Sequence, residues 1–409
     1  MNFLIDSNDE LTSNCIELAK EPGKENEPWF NNDWYTRYAT GVNYDGVRTV
    51  TWEDVEQKNI TAIYILEANK TPEWWCGMDE DGPKENIISA LPEKVLNAIR
   101  TKRIFLCILA DMDYYPFNID SIHLKSIHDA MIAQKLPAGS VWIGTNDPRY
   151  EIAYEQHVKQ HGKYFVMEYS NSSDDFVNKP KTAAIEKAMG LSISRDFNSL
   201  NKQAVHRPHT SYHLYQTLKS NFLKRGLVSC LNMEDEHAID MLEYIDEDDI
   251  PIFEKVMPQY LPRLVDGDET TNDFEANLPM AVYTGTLMTV VCETSDRRVG
   301  FFGRKTMKPL IAGHPFIVFG SKGTLGQLRN LGYRVDLCGI DTSYDSISDH
   351  KERAEAAQGE LTKWIKRPRQ EKLSLIEQSL DDINFNMKKV SLHRRSLDNM
   401  TNASRKYFK

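Results

Sequence analysis

The stretch CETSDRRVGFFGRKTMKPLIAGHPFIVFGSKGTLGQLRNLGYRVD, residues 292–336, reads as alternating strand and helix. The apolar, β-rich run LMTVVCET (287–294) ends at its start. KTMKPLIAG (305–313) has helical spacing, and HPFIVFGS (314–321) is another short apolar run. TLGQLRNLG (324–332) is a helix closed by Gly332, a residue free to take the left-handed conformation at a helix end. YRVDL (333–337) is expected to begin a further strand. Strands alternating with helices imply a parallel sheet covered by helices.

The same alternation extends towards the N-terminus. NITAIYILEA (59–68), RIFLCILA (103–110), SVWIGTND (140–147) and KYFVMEYS (163–170) are short β-rich runs bounded by polar residues. Between them, 84–101 (with a break at Pro92), 121–136 and 149–162 have helical spacing. NSSDDFVNKPKTAA (171–184) is polar and turn-rich, a fair domain boundary. Beyond it, 211–226 is expected to be a helix ended by a left-handed Gly226. The fold class is therefore α/β, two Rossmann-like domains facing a cleft: 1–183, 184–362, and a basic helical tail, 363–409, packing back on the body. The early aromatics Trp29, Phe30, Trp34, Tyr35, Trp74 and Trp75 read better as loops packed on a domain face than as a ligand platform.

The 409 residues carry 49 Lys+Arg against 60 Asp+Glu, a formal charge of −11 that disfavours a generally basic nucleic-acid binder. No run approaches the ~18 apolar residues of a membrane helix. The N-terminus lacks a secretory pattern, and the six cysteines are isolated, so a reducing cytoplasmic setting is expected. The charge is uneven. Residues 363–409 hold 12 basic and five acidic residues, +7, leaving −18 for the rest. The tail is either a solvated face or an attraction for a phosphate backbone.

Arg297, Arg298, Arg304 and Lys305 follow a strand end and precede a helix. Ligands of parallel sheets bind past the carboxyl ends of strands, and cations near a helix start favour a diphosphate. The same charges could instead pair with the acidic surface.

This segment resembles the donor-binding region of GT-B glycosyltransferases, closest to fucosyltransferase-like sequences and to related phage-encoded ones. The resemblance rests on Gly303, Arg304 and Lys305, then Met307, Lys308 and Pro309, then residues 312–316 (AGHPF). Arg304 stands where the family pattern has an acid that holds ribose hydroxyls; Glu293, ten residues earlier, is the candidate to take over. A second match, residues 199–232, resembles the start of the same domain through Asn201, His206 and Arg207, with Arg207 as the implied diphosphate contact. His206 and His209 could equally be ordinary loop histidines. The element IDTSYD (340–345) also resembles these relatives.

The resemblance implies a nucleotide-sugar donor, UDP- or GDP-linked, bound by Asn201, His206, Arg207, Glu293, Arg304, Lys305 and Lys308. It implies transfer to an acceptor hydroxyl, deprotonated by a carboxylate of the N-terminal half. Asp111 and Asp113, after the run 103–110, are the catalytic candidates, with Glu67 in reserve and Asn146 at the same side. Asp111-Met112-Asp113 also resembles the metal-binding motif of GT-A enzymes; a divalent metal is permitted but not required, and no metal ligands are assigned. The acceptor suggested by the phage relatives is 5-hydroxymethylcytosine in double-stranded DNA or a surface glycan. A non-catalytic interaction protein with a degenerate transferase fold is the contrasting reading, and no membrane partner is expected.

Overall fold

A computed structural model describes residues 2–4, 48–50, 52–67, 78–79, 82–83, 86–110, 121–145, 149–169, 180–191, 194–201, 207–230, 242–260, 278–294, 296, 299–300, 302–392 and 395–409. The chain divides into two compact units, Met1–Ser172 with Arg394–Lys409, and Ser173–His393.

The first unit begins with β1 (Asn2–Leu4), β2 (Arg48–Val50), α1 (Trp52–Gln57) and β3 (Ala62–Glu67). A two-stranded antiparallel ribbon follows, β4 (Met78–Asp79) with β5 (Gly82–Pro83). Then come α2 (Glu93–Arg100), β6 (Ile104–Ala110), α3 (Ser121–Ala133), β7 (Val141–Thr145), α4 (Arg149–His161) and β8 (Val166–Tyr169). Six strands form one sheet in the order β2-β1-β3-β6-β7-β8, parallel throughout. In β6, Ile104 to Cys107 are all inaccessible, as expected of a central parallel strand covered on both faces. Alternate residues separate the two faces. Tyr64, Leu66, Leu106, Ile108 and Ile143 join one core with α1, α2, α3 and α4, while Ile63, Ile65, Phe105, Cys107 and Trp142 form another.

The second unit contains α5 (Ala184–Met189), β9 (Phe197–Leu200), α6 (Pro208–Lys219), β10 (Gly226–Ser229), α7 (Ile250–Tyr260), α8 (Met280–Thr284) and β11 (Thr289–Cys292). It continues with α9 (Arg304–Ala312), β12 (Phe316–Phe319), α10 (Thr324–Asn330), α11 (His350–Lys366) and α12 (Arg369–Leu392). Its four strands are parallel in the order β10-β9-β11-β12. The chain leaves β9 to one side for β10, then crosses to the other side for β11. The carboxyl ends of β9 and β11 therefore flank a topological switch point, where open α/β sheets leave a crevice for a ligand.

The α/β class with two parallel sheets is as the sequence predicts, and two local expectations change. Gly226 does not cap a helix: it starts β10 in extended conformation (φ −119°, ψ 163°), after a short 3-10 turn over Phe222–Arg225. It is paired with Phe197, and a Cβ there would lie 2.4 Å from the Phe197 ring, so close packing explains the glycine. Residues 333–337 form no strand. The side chain of Asn386 on α12 accepts from the Arg334 amide at 2.9 Å and donates to its carbonyl at 2.6 Å. A helix side chain thus satisfies the backbone that a neighbouring strand would have engaged. Gly332 does adopt the left-handed conformation (φ 80°) expected after α10.

The unit boundaries lie at 172/173 and 393/394, away from the 183/184 and 362/363 read from the sequence. Residues 180–190 belong with the second unit because Ala183 to Ile185 pack inside it; a Cβ on Gly313 would meet Ala183 at 2.6 Å. The basic tail is shared between the units. Its helix α12 packs on α5 and α9, with buried Lys372 donating to Asp196 at 2.5 Å. The last helix, α13 (Arg395–Phe408), packs on β6 and β7 of the first unit. Met400 and Tyr407 complete the core of Ile63, Ile65, Phe105, Cys107 and Trp142, and the Tyr407 hydroxyl donates to Ile99 carbonyl at 2.5 Å. Tyr407→Ala is expected to destabilise the first unit by about 3 kcal/mol, and Tyr407→Phe by about 1 kcal/mol, in urea unfolding followed by tryptophan fluorescence. Equal effects of the two changes would show that the ring is not core.

Candidate functional site

The residues around the switch point come from the loops after β9 and β11. Glu293, the residue after β11, is inaccessible to solvent. Its Oε1 accepts from the amides of Gly303 and Thr306, each at 3.0 Å, and from the Thr306 hydroxyl. Its Oε2 accepts from the Thr294 amide at 3.3 Å. The carboxylate thus caps α9 from outside the helix, satisfying amides that its own N-cap, Gly303, cannot. α10 is treated in the same way: Asp345 accepts from the amides of Leu325 at 3.0 Å and Gly326 at 2.8 Å. Burial raises the pKa of Asp345, against the pull of those amides. The two helix starts nearest the carboxyl ends of β11 and β12 are therefore already met by internal carboxylates.

Capping α9 places Lys305 in its first turn, with Nζ donating to the Cys292 carbonyl at 2.9 Å. Burial lowers the Lys305 pKa to about 7; repulsion from Arg207 adds to this, and Glu293 opposes it. Arg207 immediately precedes α6 and is 9% exposed. Among the described residues no hydrogen bond or ion pair engages its guanidinium. Lys308 adds a third nearby cation.

Behind these cations lies a buried polar chain. Gln358 Oε1 is 3.0 Å from His213 Nδ1, and His213 Nε2 is 3.1 Å from Ser199 Oγ. Asn201 Nδ2 donates to the same Ser199 oxygen at 3.0 Å. Burial holds the His213 pKa near 4, so it is neutral at pH 7 and links two partners without adding charge. Asn201 is 1% exposed and its Oδ1 has no partner among the described residues. On the other side, His209 Nε2 donates to the Glu293 carbonyl at 2.8 Å, and its Nδ1 is 3.3 Å from Asp296 Oδ2. The Tyr244 hydroxyl donates to Asp296 at 2.5 Å. Burial pushes the Asp296 carboxyl up, but His209 and the two hydrogen bonds hold it well below the usual carboxylate range. Arg353 fastens the surrounding loops by donating to the carbonyls of Gly320 at 2.9 Å and Asp296 at 2.7 Å.

Of the residues expected from the sequence, the structure brings Arg207, Glu293 and Lys308 within electrostatic range of Lys305, with Asn201 just after β9. Arg304 opens α9. His206, Asp111, Asp113 and Asn146 lie outside the described residues. Glu67 is the last residue of β3. Among the described residues, no group of three or more His, Cys, Asp or Glu is arranged to hold a metal ion, and no helix is long and apolar enough to cross a membrane. Sequence reasoning left out Ser199, His213, Asp296, Asp345 and Arg353, whose roles arise from contacts between distant segments. IDTSYD carried a signal for Asp345, but its task of capping α10 is visible only in space.

No family model and no curated protein matches the chain. Solved structures share part of its fold at 9–11% identity and TM-scores of 0.40–0.44. They include the GtfA/B complex, at 11% identity and a TM-score of 0.41, covering 86% of this chain. The chain spans 59% of the length of that GtfA/B chain. Another is an alpha,alpha-trehalose-phosphate synthase (UDP-forming) from Burkholderia vietnamiensis, at 10% identity and a TM-score of 0.41, covering 85% of this chain and 73% of that one. A third is the E. coli trehalose-6-phosphate structure bound with UDP-2-fluoro glucose, at 9% identity and 0.41, covering 83% and 73%.

Two stability measurements test the electrostatics. Glu293→Gln, which keeps the shape but loses the charge facing several helix donors, is expected to cost about 1–3 kcal/mol in chemical denaturation. The pKa of Lys305 is depressed on folding, so the unfolded chain holds more protons between pH ~7 and ~10.5, and stability rises with pH across that window. Lys305→Met is therefore expected to raise the melting temperature most at pH 6, with the gain shrinking towards pH 10. A gain independent of pH would contradict the assignment.

Proposed function

We propose that the second unit binds the diphosphate of a nucleotide sugar beside the carboxyl ends of β9 and β11, and that the chain is a glycosyltransferase. The observation that carries this reading is the pair Arg207 and Lys305 at the switch point, two neighbouring cations with no carboxylate ion-paired to them among the described residues. Two neighbouring cations repel each other, and an anionic ligand reverses that penalty. The guanidinium offers a planar fork suited to phosphate oxygens, and the lysine a point charge. When a glycosidic bond to a diphosphate breaks, negative charge grows on the departing phosphate oxygens. Fixed cations stabilise that growth without reorganising. In this reading Glu293 positions Lys305, and the Gln358–His213–Ser199–Asn201 chain stiffens the end of β9.

The acceptor is proposed to be a hydroxyl, with Asp111 as the base that takes its proton and Asp113 beside it in sequence. Hydroxymethylcytosine-containing duplex DNA and a glycan are the two acceptors that the sequence suggests, and they form separate arms of one experiment. The protein is incubated with UDP- and GDP-linked sugars and each acceptor, and products are weighed by mass spectrometry. One hexose or pentose mass added to one acceptor is expected, and turnover would also exclude a purely binding role. In calorimetry, Arg207→Ala is expected to weaken nucleotide binding by tenfold or more, a loss of about 1.5–3 kcal/mol. Absence of binding to every nucleotide and nucleotide sugar, with or without Mg²⁺, would end the proposal.

A further inference from the structure

We propose that His128, His157 and His161 form an acid-sensitive clasp between α3 and α4: the contact holds while the rings are neutral and opens when they are charged, loosening this side of the first unit at mildly acidic pH. The inference stands apart from the phosphate site of the second unit.

The three rings come from two helices. His157 and His161 lie four residues apart on α4 and so share one face, and His128 reaches them from α3. Ring centroids are 5.2 Å apart for His128 and His157, 5.0 Å for His157 and His161, and 6.3 Å for His128 and His161. His157 is inaccessible and His128 nearly so, while His161 is exposed. His128 Nδ1 is 3.1 Å from His157 Nε2. An N···N contact of that length is a hydrogen bond only when one nitrogen carries the proton and the other offers its lone pair. With both rings charged, two N–H groups would point at each other. His157 Nδ1 has no partner among the described residues, so a charged His157 would also bury a donor with nothing to receive it.

The surroundings compensate little for added charge. From α3, Asp129 faces the rings, but it is ion-paired with Lys125, whose charge opposes it. From α4, Tyr154 lies beside His157; its hydroxyl donates to the Phe165 carbonyl, and burial pushes its pKa up to about 12, so it stays neutral. From the segment before β8, Tyr164 lies 5.0 Å from His128 and Phe165 lies 5.7 Å from His157, ring centre to ring centre. The Tyr164 hydroxyl donates to the Leu136 carbonyl at 2.8 Å. On β8, the Glu168 carboxylate accepts from the Trp142 indole at 3.0 Å. In keeping with this geometry, burial and then repulsion from the other two rings hold His157 at about 4. Burial also lowers His128, against the pull of Asp129.

A solvated histidine takes up its proton near pH ~6.5. Between that pH and ~4 the opened chain holds more protons than the closed cluster, so stability is lost as pH falls. Each proton excluded in this way shifts the opening equilibrium by up to about tenfold per pH unit. For His157 alone, opening becomes about thirtyfold more favourable at pH ~5 than at pH ~7.5. α3 follows β6 and α4 follows β7, so the clasp ties two successive strand–helix units together.

The test is hydrogen exchange of the full chain read by mass spectrometry. Protection of residues 121–133 and 149–161 is compared at pH ~7.5 and ~5, after correction for the intrinsic exchange rate. The comparison protein carries His128→Leu with His157→Phe, which removes both halves of the contact and orphans neither. Wild-type protection in the two helices is expected to fall about thirtyfold, and that of the double variant by less than about threefold. Equal losses in the two proteins, or no loss in the wild type, would overturn the clasp. If the double variant does not fold, His161→Gln, a change at the exposed ring, takes its place. Losing one like charge beside His157 is expected to make the fall at pH ~5 smaller, and an unchanged fall would overturn the proposal.

Discussion

The carboxylate of Glu293 holds the start of α9 against the end of β11, and the geometry of the candidate site follows from that contact. A buried carboxylate is costly unless donors replace the water it has lost, and here two helix amides and a hydroxyl converge on one oxygen. The helix gains in return a charge of the right sign at its positive end. With the first turn of α9 anchored there, Lys305 comes to the Cys292 carbonyl and within range of Arg207. The same carboxylate cannot fully serve as the counter-ion of Lys305 while it caps the helix. One interaction thus supplies the position of the lysine and withholds the partner that would neutralise it.

Much of the sheet architecture was legible in the sequence because parallel strands buried on both faces produce short continuous apolar runs. RIFLCILA and HPFIVFGS became β6 and β12 with only their ends trimmed. The errors arose where a long-range contact replaced a local rule. Gly226 has the right identity for a helix end, but the ring of Phe197 explains it. YRVDL has strand composition, but Asn386 occupies the backbone groups of Arg334. FNSL (197–200) is too short and polar to stand out, yet as β9 it is central to the second sheet. Its Ser199 Oγ meets His213, and its Asn198 Nδ2 donates to Thr289, 91 residues away in the chain.

The candidate site was legible as a set of residue types but not as an arrangement. A loop with four cations could equally have been a solvated surface. Of those four, only Lys305 has a described side chain, and it lies in electrostatic range of Arg207 from another segment. Arg207 is 9% exposed and Lys305 is desolvated enough to shift its titration, whereas a solvated lysine would keep its ordinary value. Glu293, expected to hold ribose hydroxyls in place of an acid at position 304, is inaccessible and has both oxygens engaged at the start of α9. Glu293 supplies a carboxylate at the start of the same helix from the preceding strand, so a cation at position 304 does not leave the helix start uncapped.

The +7 of residues 363–409 changes meaning once its neighbours are known. Lys372 is inaccessible and paired with Asp196; Arg369 donates to Ser194 and to the Leu191 carbonyl; Lys363 is bound to Glu360. Arg367 lies beside Glu371 and donates to the Gly339 carbonyl. These cations hold helices in place, and those ion-paired with a carboxylate contribute little field at a distance. Other exposed basic residues, Lys366 and Lys388 in the second unit and Arg405, Lys406 and Lys409 in the first, are divided between two bodies. Net charge summed along the sequence therefore overstates the tail as an electrostatic element. The proposed phosphate site rests instead on Arg207 and Lys305, beside the carboxyl ends of β9 and β11.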